Sequence, residues 1–254
     1  MLYVFHGEDE FSRSEAIARL REKMDPVVGD LNTVAFDGRE VGVDELQAAC
    51  DALPFMADRR LVIVHDLVSS STGGRGTRQQ RRIADDDRLG GLEAYLPQVP
   101  ETARLVLDES RSLPKEHRLL QLVRQQGGYV RHYALPAGPQ LDQWIKRRAR
   151  RKGVGISPQA VALLATYLGP NLRLLDQELE KLATYLGGEG TIGHEDVERL
   201  VSSLQEASIF HLVDALGSRR GRRALVLLRR LLDEKAAPLY ILTMFARQFR
   251  LLLQ

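Results

Sequence analysis

Five short apolar runs recur along the first half of the chain, each separated from the next by a longer segment. They are Leu2–His6, Thr33–Phe36, Leu61–His65, Ala103–Leu107 and Tyr129–Tyr133. In three of the gaps the pattern turns helical: Ser12–Met24 puts Ala16, Ile17 and Leu20 on one face, Val43–Leu53 follows, and Leu113–Gln126 runs up to Gly127-Gly128. A strand that is apolar throughout has no polar face to turn to water, so both of its faces need cover. Alternation of such strands with helices predicts βαβ units on one parallel five-stranded sheet. The fourth gap, Ser69–Gly91, is rich in Ser, Gly, Arg and Asp without an apolar period, and reads as a mobile insertion.

The rhythm stops at Leu135-Pro136-Ala137-Gly138-Pro139, because two prolines and a glycine neither prolong a strand nor sit inside a helix. Everything beyond is helical in pattern. Gln140–Lys152 ends at Gly153, and Ser157-Pro158 supplies an N-cap and a first-turn proline for a helix closing at Gly169-Pro170. Leu172, Leu175, Leu179, Leu182 and Leu186 form one apolar stripe, and a further helix spans Glu195–Leu204. From Ala207 onward come helices around Ile209–Leu216 and Arg222–Leu232, then Leu239–Leu253, helical to its last residue without a C-cap. The fold class is therefore α/β plus all-α. The expected domains are 1–136, 137–205 and 206–254, the last being the start of a longer helical domain.

Composition excludes several kinds of function. A chain of 254 residues with 44% apolar content builds real cores. The lone Cys50 leaves no disulfide and no cysteine pair for a metal, and the six histidines lack the spacing of a zinc helix. No apolar run approaches the roughly 20 residues that span a bilayer, and the opening Met-Leu-Tyr-Val-Phe has no basic segment or cleavage site. We expect a cytoplasmic protein with no membrane partner, no metal and no cofactor.

An αβ domain followed by a small helical bundle raises the question of a nucleotide site. The turn after the first strand reads His6-Gly7-Glu8-Asp9-Glu10-Phe11-Ser12-Arg13. A phosphate cradle of the GxxxxGK[ST] type needs a second glycine, a lysine and a hydroxyl for magnesium. Here the second glycine and the lysine are absent, and three carboxylates stand where phosphates would bind and repel them. Two strands end in acids, at Asp66 and at Asp108-Glu109, and the second pair resembles a magnesium-binding motif. Without a cradle these acids read as caps on the exposed carboxyl ends of strands. Ser69–Ser71 has no base at a useful spacing and no nucleophile elbow, so no catalytic residue is assigned.

One loop is unusually apolar. Ala52-Leu53-Pro54-Phe55-Met56-Ala57-Asp58-Arg59-Arg60 joins a helix to the third strand and carries Leu, Phe and Met around a proline. Connecting loops run over the surface, so such side chains either fold back on the core or anchor a partner. Positive charge is mostly arginine, in runs at 75–82, 146–152, 219–223 and 229–230. Arginine forks suit phosphates, although a charge run is commonly a solvated helix face. In the run 146–152 the candidate DNA contacts are Arg147, Arg148, Arg151 and Lys152.

The sequence resembles the delta-subunit family of the bacterial DNA polymerase III clamp loader. The resemblance is carried by Tyr3–Phe11, Leu53–Val62, Asn171–Leu182, Glu206–Phe210 and Ala246–Leu252, in that order along the chain. It implies an AAA+/RecA-like core, a helical lid and a helical collar, in a subunit that hydrolyses no ATP. It also implies a task, to grip the ring-shaped sliding clamp and hold one interface open so that DNA enters. The implied partners are the sliding clamp (beta subunit), the gamma/tau and delta-prime loader subunits, and primed DNA within the complex. The implied clamp-binding residues are Leu53, Phe55 and Met56, with Pro54 setting the direction of the loop. Two other readings stand beside it: an active AAA+ ATPase with an unusual site, and a stand-alone DNA-binding protein using the run 146–152. The sister delta-prime subunit is disfavoured, because a zinc-binding cysteine set is expected there.

Overall fold

In the computed structural model all five apolar runs are strands of one parallel sheet, β1 (Leu2–His6), β2 (Thr33–Asp37), β3 (Arg60–His65), β4 (Ala103–Glu109) and β5 (Tyr129–His132), in the order β2-β3-β4-β1-β5. The structure describes residues 1–68 and 90–201, together with 212–213, 215–217, 220–233, 238–239, 242–243, 245–246 and 250. Most of the Ser69–Gly91 insertion and the Glu206–Phe210 segment therefore lie outside the described residues, as do parts of the predicted helices Ile209–Leu216 and Leu239–Leu253. Two compact units are present, Met1–Leu135 and Pro136–Gln254.

Alternate residues of a strand point to opposite faces, so each apolar run feeds two cores. Val4, Val62, Val64, Leu105 and Leu107 join Leu46, Leu119 and Val123 on one face. Phe5, Leu61, Ile63 and Val106 join Ile17, Leu20 and Met24 on the other. The central strand β4 is buried along its whole length, whereas the edge strands β2 and β5 are largely open. That gradient follows from position in the sheet.

The helices are α1 (Glu10–Arg21), α2 (Val43–Asp51) and α3 (Arg118–Gln125). Helix α1 begins two residues before the predicted Ser12, because the Asp9 side chain caps it by accepting the Ser12 N–H at 2.8 Å. Helix α3 begins five residues after the predicted Leu113. Pro114 lies upstream, and His117 Nδ1 accepts the Leu119 N–H. Residues 90–95 are already helical, so the polar gap closes earlier than expected, and Leu92, Tyr95 and Leu96 return the chain to the core.

The second unit opens with α4 (Pro139–Arg151), α5 (Pro158–Leu168), α6 (Leu172–Tyr185) and α7 (His194–Leu200). Ser157 caps α5 as its sequence predicts, with the Ala160 N–H at 3.2 Å from the hydroxyl. Leu172, Leu175, Leu179 and Leu182 are buried, while Leu186 lies past the helix end. Gly155–Ile156 (β6) and Thr191–Ile192 (β7) form a two-residue parallel ladder that no periodicity could announce. Helix α8 (Gly221–Asp233) packs Ala224 and Leu231 with Leu212, Val213 and Ala215.

Candidate functional site

The apolar loop is built where α2 has to stop. The chain leaves the helix at Ala52, whose ψ is 130°, and Pro54 disfavours a helical conformation at the Leu53 that precedes it. Beyond it Leu53 is 85% exposed, Phe55 55% and Met56 80%, with Pro54 half-buried between them. Met56 has φ 49°, in the left-handed region that costs an L-residue about 1–2 kcal/mol.

This backbone is tethered. Asn32, just before β2, has no exposed surface. Its amide nitrogen donates to the Phe55 carbonyl and to the Val28 carbonyl, both at 2.9 Å, and its amide oxygen accepts the Phe55 N–H at 2.7 Å. The Asn32 carbonyl accepts the Leu61 N–H at 2.8 Å, which registers the turn before β2 against β3. That turn is shaped by Asp25, whose carboxylate accepts the Val27 and Val28 N–H groups; these bonds hold its pKa below the usual value. The turn presents Val27 at 86% and Leu31 at 66% exposure. None of Asn32, Val27 and Leu31 was legible as part of this surface: an asparagine entering a strand looks like any turn residue.

In open parallel sheets ligands bind at the carboxyl ends of the strands, where the chain order reverses. Here that place lies beside β1, between β4 and β5. Its backbone donors are occupied. The Gly7 N–H points to the carbonyls of Glu109 and Arg111, each at 3.2 Å, the Asp9 N–H donates to Tyr133 O at 3.0 Å, and the Ser12 N–H goes to Asp9. Gly7 sits at φ 122°, and a Cβ there would lie 2.2 Å from Tyr133 O, so the turn is closed against the sheet.

The acids of β4 are buried rather than exposed caps. Glu109 has no exposed surface and accepts the Val68 N–H at 3.0 Å. Asp108 forms an ion pair with Arg13 of α1 and a hydrogen bond of 2.9 Å with His65 Nδ1. The bond to Asp108 raises the His65 pKa, against the opposing pull of burial. His6, stacked on His132 at 4.8 Å, is pushed down to about 4 by burial and then by that neighbouring ring. A neutral His6 Nδ1 accepts the Leu113 N–H.

The basic candidates divide into two pairs. On α4, Leu141, Ile145 and Ala149 face inward. Arg148 and Lys152 flank that stripe and pair with Asp176 of α6, and Lys152 reaches Glu180 as well. Arg147 and Arg151 are exposed, and so is Arg150, which lies between them. Among the described residues no helix is long and apolar enough to cross a membrane, and no cluster of three or more acidic, His or Cys side chains is placed to hold a metal.

Comparison with known proteins agrees with this architecture. The family described as DNA polymerase III, delta subunit, matches residues 3–132, and the one described as its C-terminal domain matches residues 206–254. A middle-domain family matches residues 141–199. The DNA polymerase III subunit delta of Bacillus subtilis (strain 168) is 26% identical over 255 residues, covering 100% of this chain and 72% of that protein. A probable DNA polymerase III subunit delta of Aquifex aeolicus (strain VF5) is 24% identical, covering 95% of this chain and 66% of its own length. The solved structure of the Bacillus subtilis DNA clamp loader delta protein superposes with a TM-score of 0.70 at 24% identity. It covers 100% of this chain and 73% of that one, a likeness of fold.

Proposed function

Because the chain belongs to the DNA polymerase III delta-subunit family, we propose that it grips the sliding clamp through the loop Leu53-Pro54-Phe55-Met56. The carrying observation is three large apolar side chains held in solvent by a pinned backbone. Burying two of them is worth about 3–6 kcal/mol before the costs of association. That makes a hot spot rather than a whole interface, and helix α1 adds contact area.

A subunit that binds the open ring better than the closed one shifts the population toward open rings without catalysis. The occupied donors around Gly7 and the Arg13–Asp108 pair support a core that hydrolyses no ATP, with control supplied by the gamma/tau and delta-prime subunits. In this proposal residues 1–136 form the AAA+-like core, 137–205 the lid and 206–254 the start of the collar. Arg147 and Arg151, which project into solvent, are better suited to a DNA phosphate in the complex than Arg148 and Lys152, which face Asp176.

The test is clamp binding measured beside thermal melting. The double substitution Leu53→Ala, Phe55→Ala is expected to abolish binding to the cognate clamp while moving the melting temperature by no more than a few degrees, since neither side chain is in a core. A large fall in melting temperature with binding retained would assign these side chains to the fold instead.

A further inference from the structure

Exposed leucine, phenylalanine and methionine on one loop lower their free energy by collapsing onto the nearest apolar surface. A docking loop therefore needs something that holds it out. The restraint is polar: one buried carboxamide makes three hydrogen bonds, all to backbone groups, and two of them bracket a single residue, Phe55 N–H and Phe55 C=O. The third goes to the Val28 carbonyl, so the same group sets the turn bearing Val27 and Leu31 beside the loop. Only an amide donates and accepts in this arrangement, because a carboxylate would face two carbonyl oxygens with no proton to share.

We propose that Asn32 is a positioning residue for clamp docking: its buried carboxamide preorganises Phe55 and its neighbours in the binding conformation. This rests on the reading that the loop docks on the sliding clamp. Fixing the loop in advance removes the ordering cost that association would otherwise carry. Losing the clasp should therefore weaken binding roughly tenfold to a hundredfold, the equivalent of one or two buried hydrogen bonds.

The experiment measures dissociation constants for the cognate sliding clamp with the full chain, using the wild type, Asn32→Ala, Phe55→Ala and the double variant. Asn32→Ala should weaken binding at least tenfold, and by a smaller factor once Phe55→Ala is present, because Asn32 acts through the loop that positions Phe55, Leu53 and Met56. Asn32→Asp keeps the acceptor and loses the donor. It should bind poorly at neutral pH and regain affinity relative to wild type as the pH falls and the acid can donate again. In the unbound wild type, exchange of the Phe55 amide hydrogen followed by NMR should be slow for so exposed a loop, a readout that requires no variant to fold. Full affinity of Asn32→Ala, a loss that adds in full to that of Phe55→Ala, or a fast-exchanging Phe55 amide would each overturn the inference. Wild-type protein that does not bind the clamp would overturn the functional reading together with it. Wild-type binding lost in Leu53→Ala, Phe55→Ala but kept in Asn32→Ala would overturn this inference alone.

Discussion

Arg13 and Asp108 stand 95 positions apart and meet at the carboxyl end of the central strands. An acid this deeply buried needs a partner, since an isolated ionised carboxylate is costly to desolvate. Arg13 supplies the charge from the first turn of α1, and His65 adds a hydrogen bond from β3. The consequence is that the acid best placed to bind magnesium is already neutralised by the chain itself. Replacing Arg13 with Ala should cost about 3–5 kcal/mol of stability, the usual penalty for orphaning a buried charge. A fluorescent ATP analogue titrated into the wild type in magnesium buffer should show no saturable binding. Micromolar binding that disappears when Asp108 is mutated would refute the blocked crevice.

At the scale of the element, α4 illustrates how a helix that is basic nearly all round still acquires faces. Its inward stripe is Leu141, Ile145 and Ala149, and the flank beside it is neutralised across the helix pair by Asp176. Burial pushes the Asp176 pKa up, but the hydrogen bonds from Arg148 and Lys152 outweigh it and hold the group below its usual value. A folded pKa below the unfolded one contributes stability that is present above the unfolded pKa of 3.8 and is lost as the pH falls through the folded value. Asp176→Asn should therefore destabilise the protein by about 1–3 kcal/mol at neutral pH. The difference from wild type should shrink below pH 4. Denaturant unfolding at pH 7 and pH 3 measures both. A constant difference across that range would mean that the ion pairs contribute nothing.

At the scale of the whole molecule, apolar surface is left over in the segment after residue 206. Helix α8 buries Ala224 and Leu231, yet Leu225 is 65% and Val226 67% exposed on other faces. A helix apolar on opposite sides is normally covered on both, and under the proposed function the second cover would be a neighbouring loader subunit. Leu225→Asp, Val226→Asp is expected to impair assembly with the other loader subunits, read by size-exclusion chromatography of the reconstituted mixture, while clamp binding persists. Normal assembly would place the subunit contacts elsewhere.

The five strands, the caps at Ser157 and the missing phosphate lysine were legible in the sequence, because apolar period, capping and motif spacing are set within a few neighbouring residues. The apolar loop was legible as a conflict, three large side chains where a polar connection belongs, but not what holds it in place. Asn32 is 23 positions from Phe55, and Arg13 is 95 from Asp108. The two-residue ladder β6–β7 likewise pairs segments too short to carry a period. A polar side chain bonds to whatever packing brings within about 3 Å. Its partner is therefore fixed by how distant elements come together, and only the tertiary structure decided which polar groups clasp the loop, fill the crevice and neutralise the basic helix.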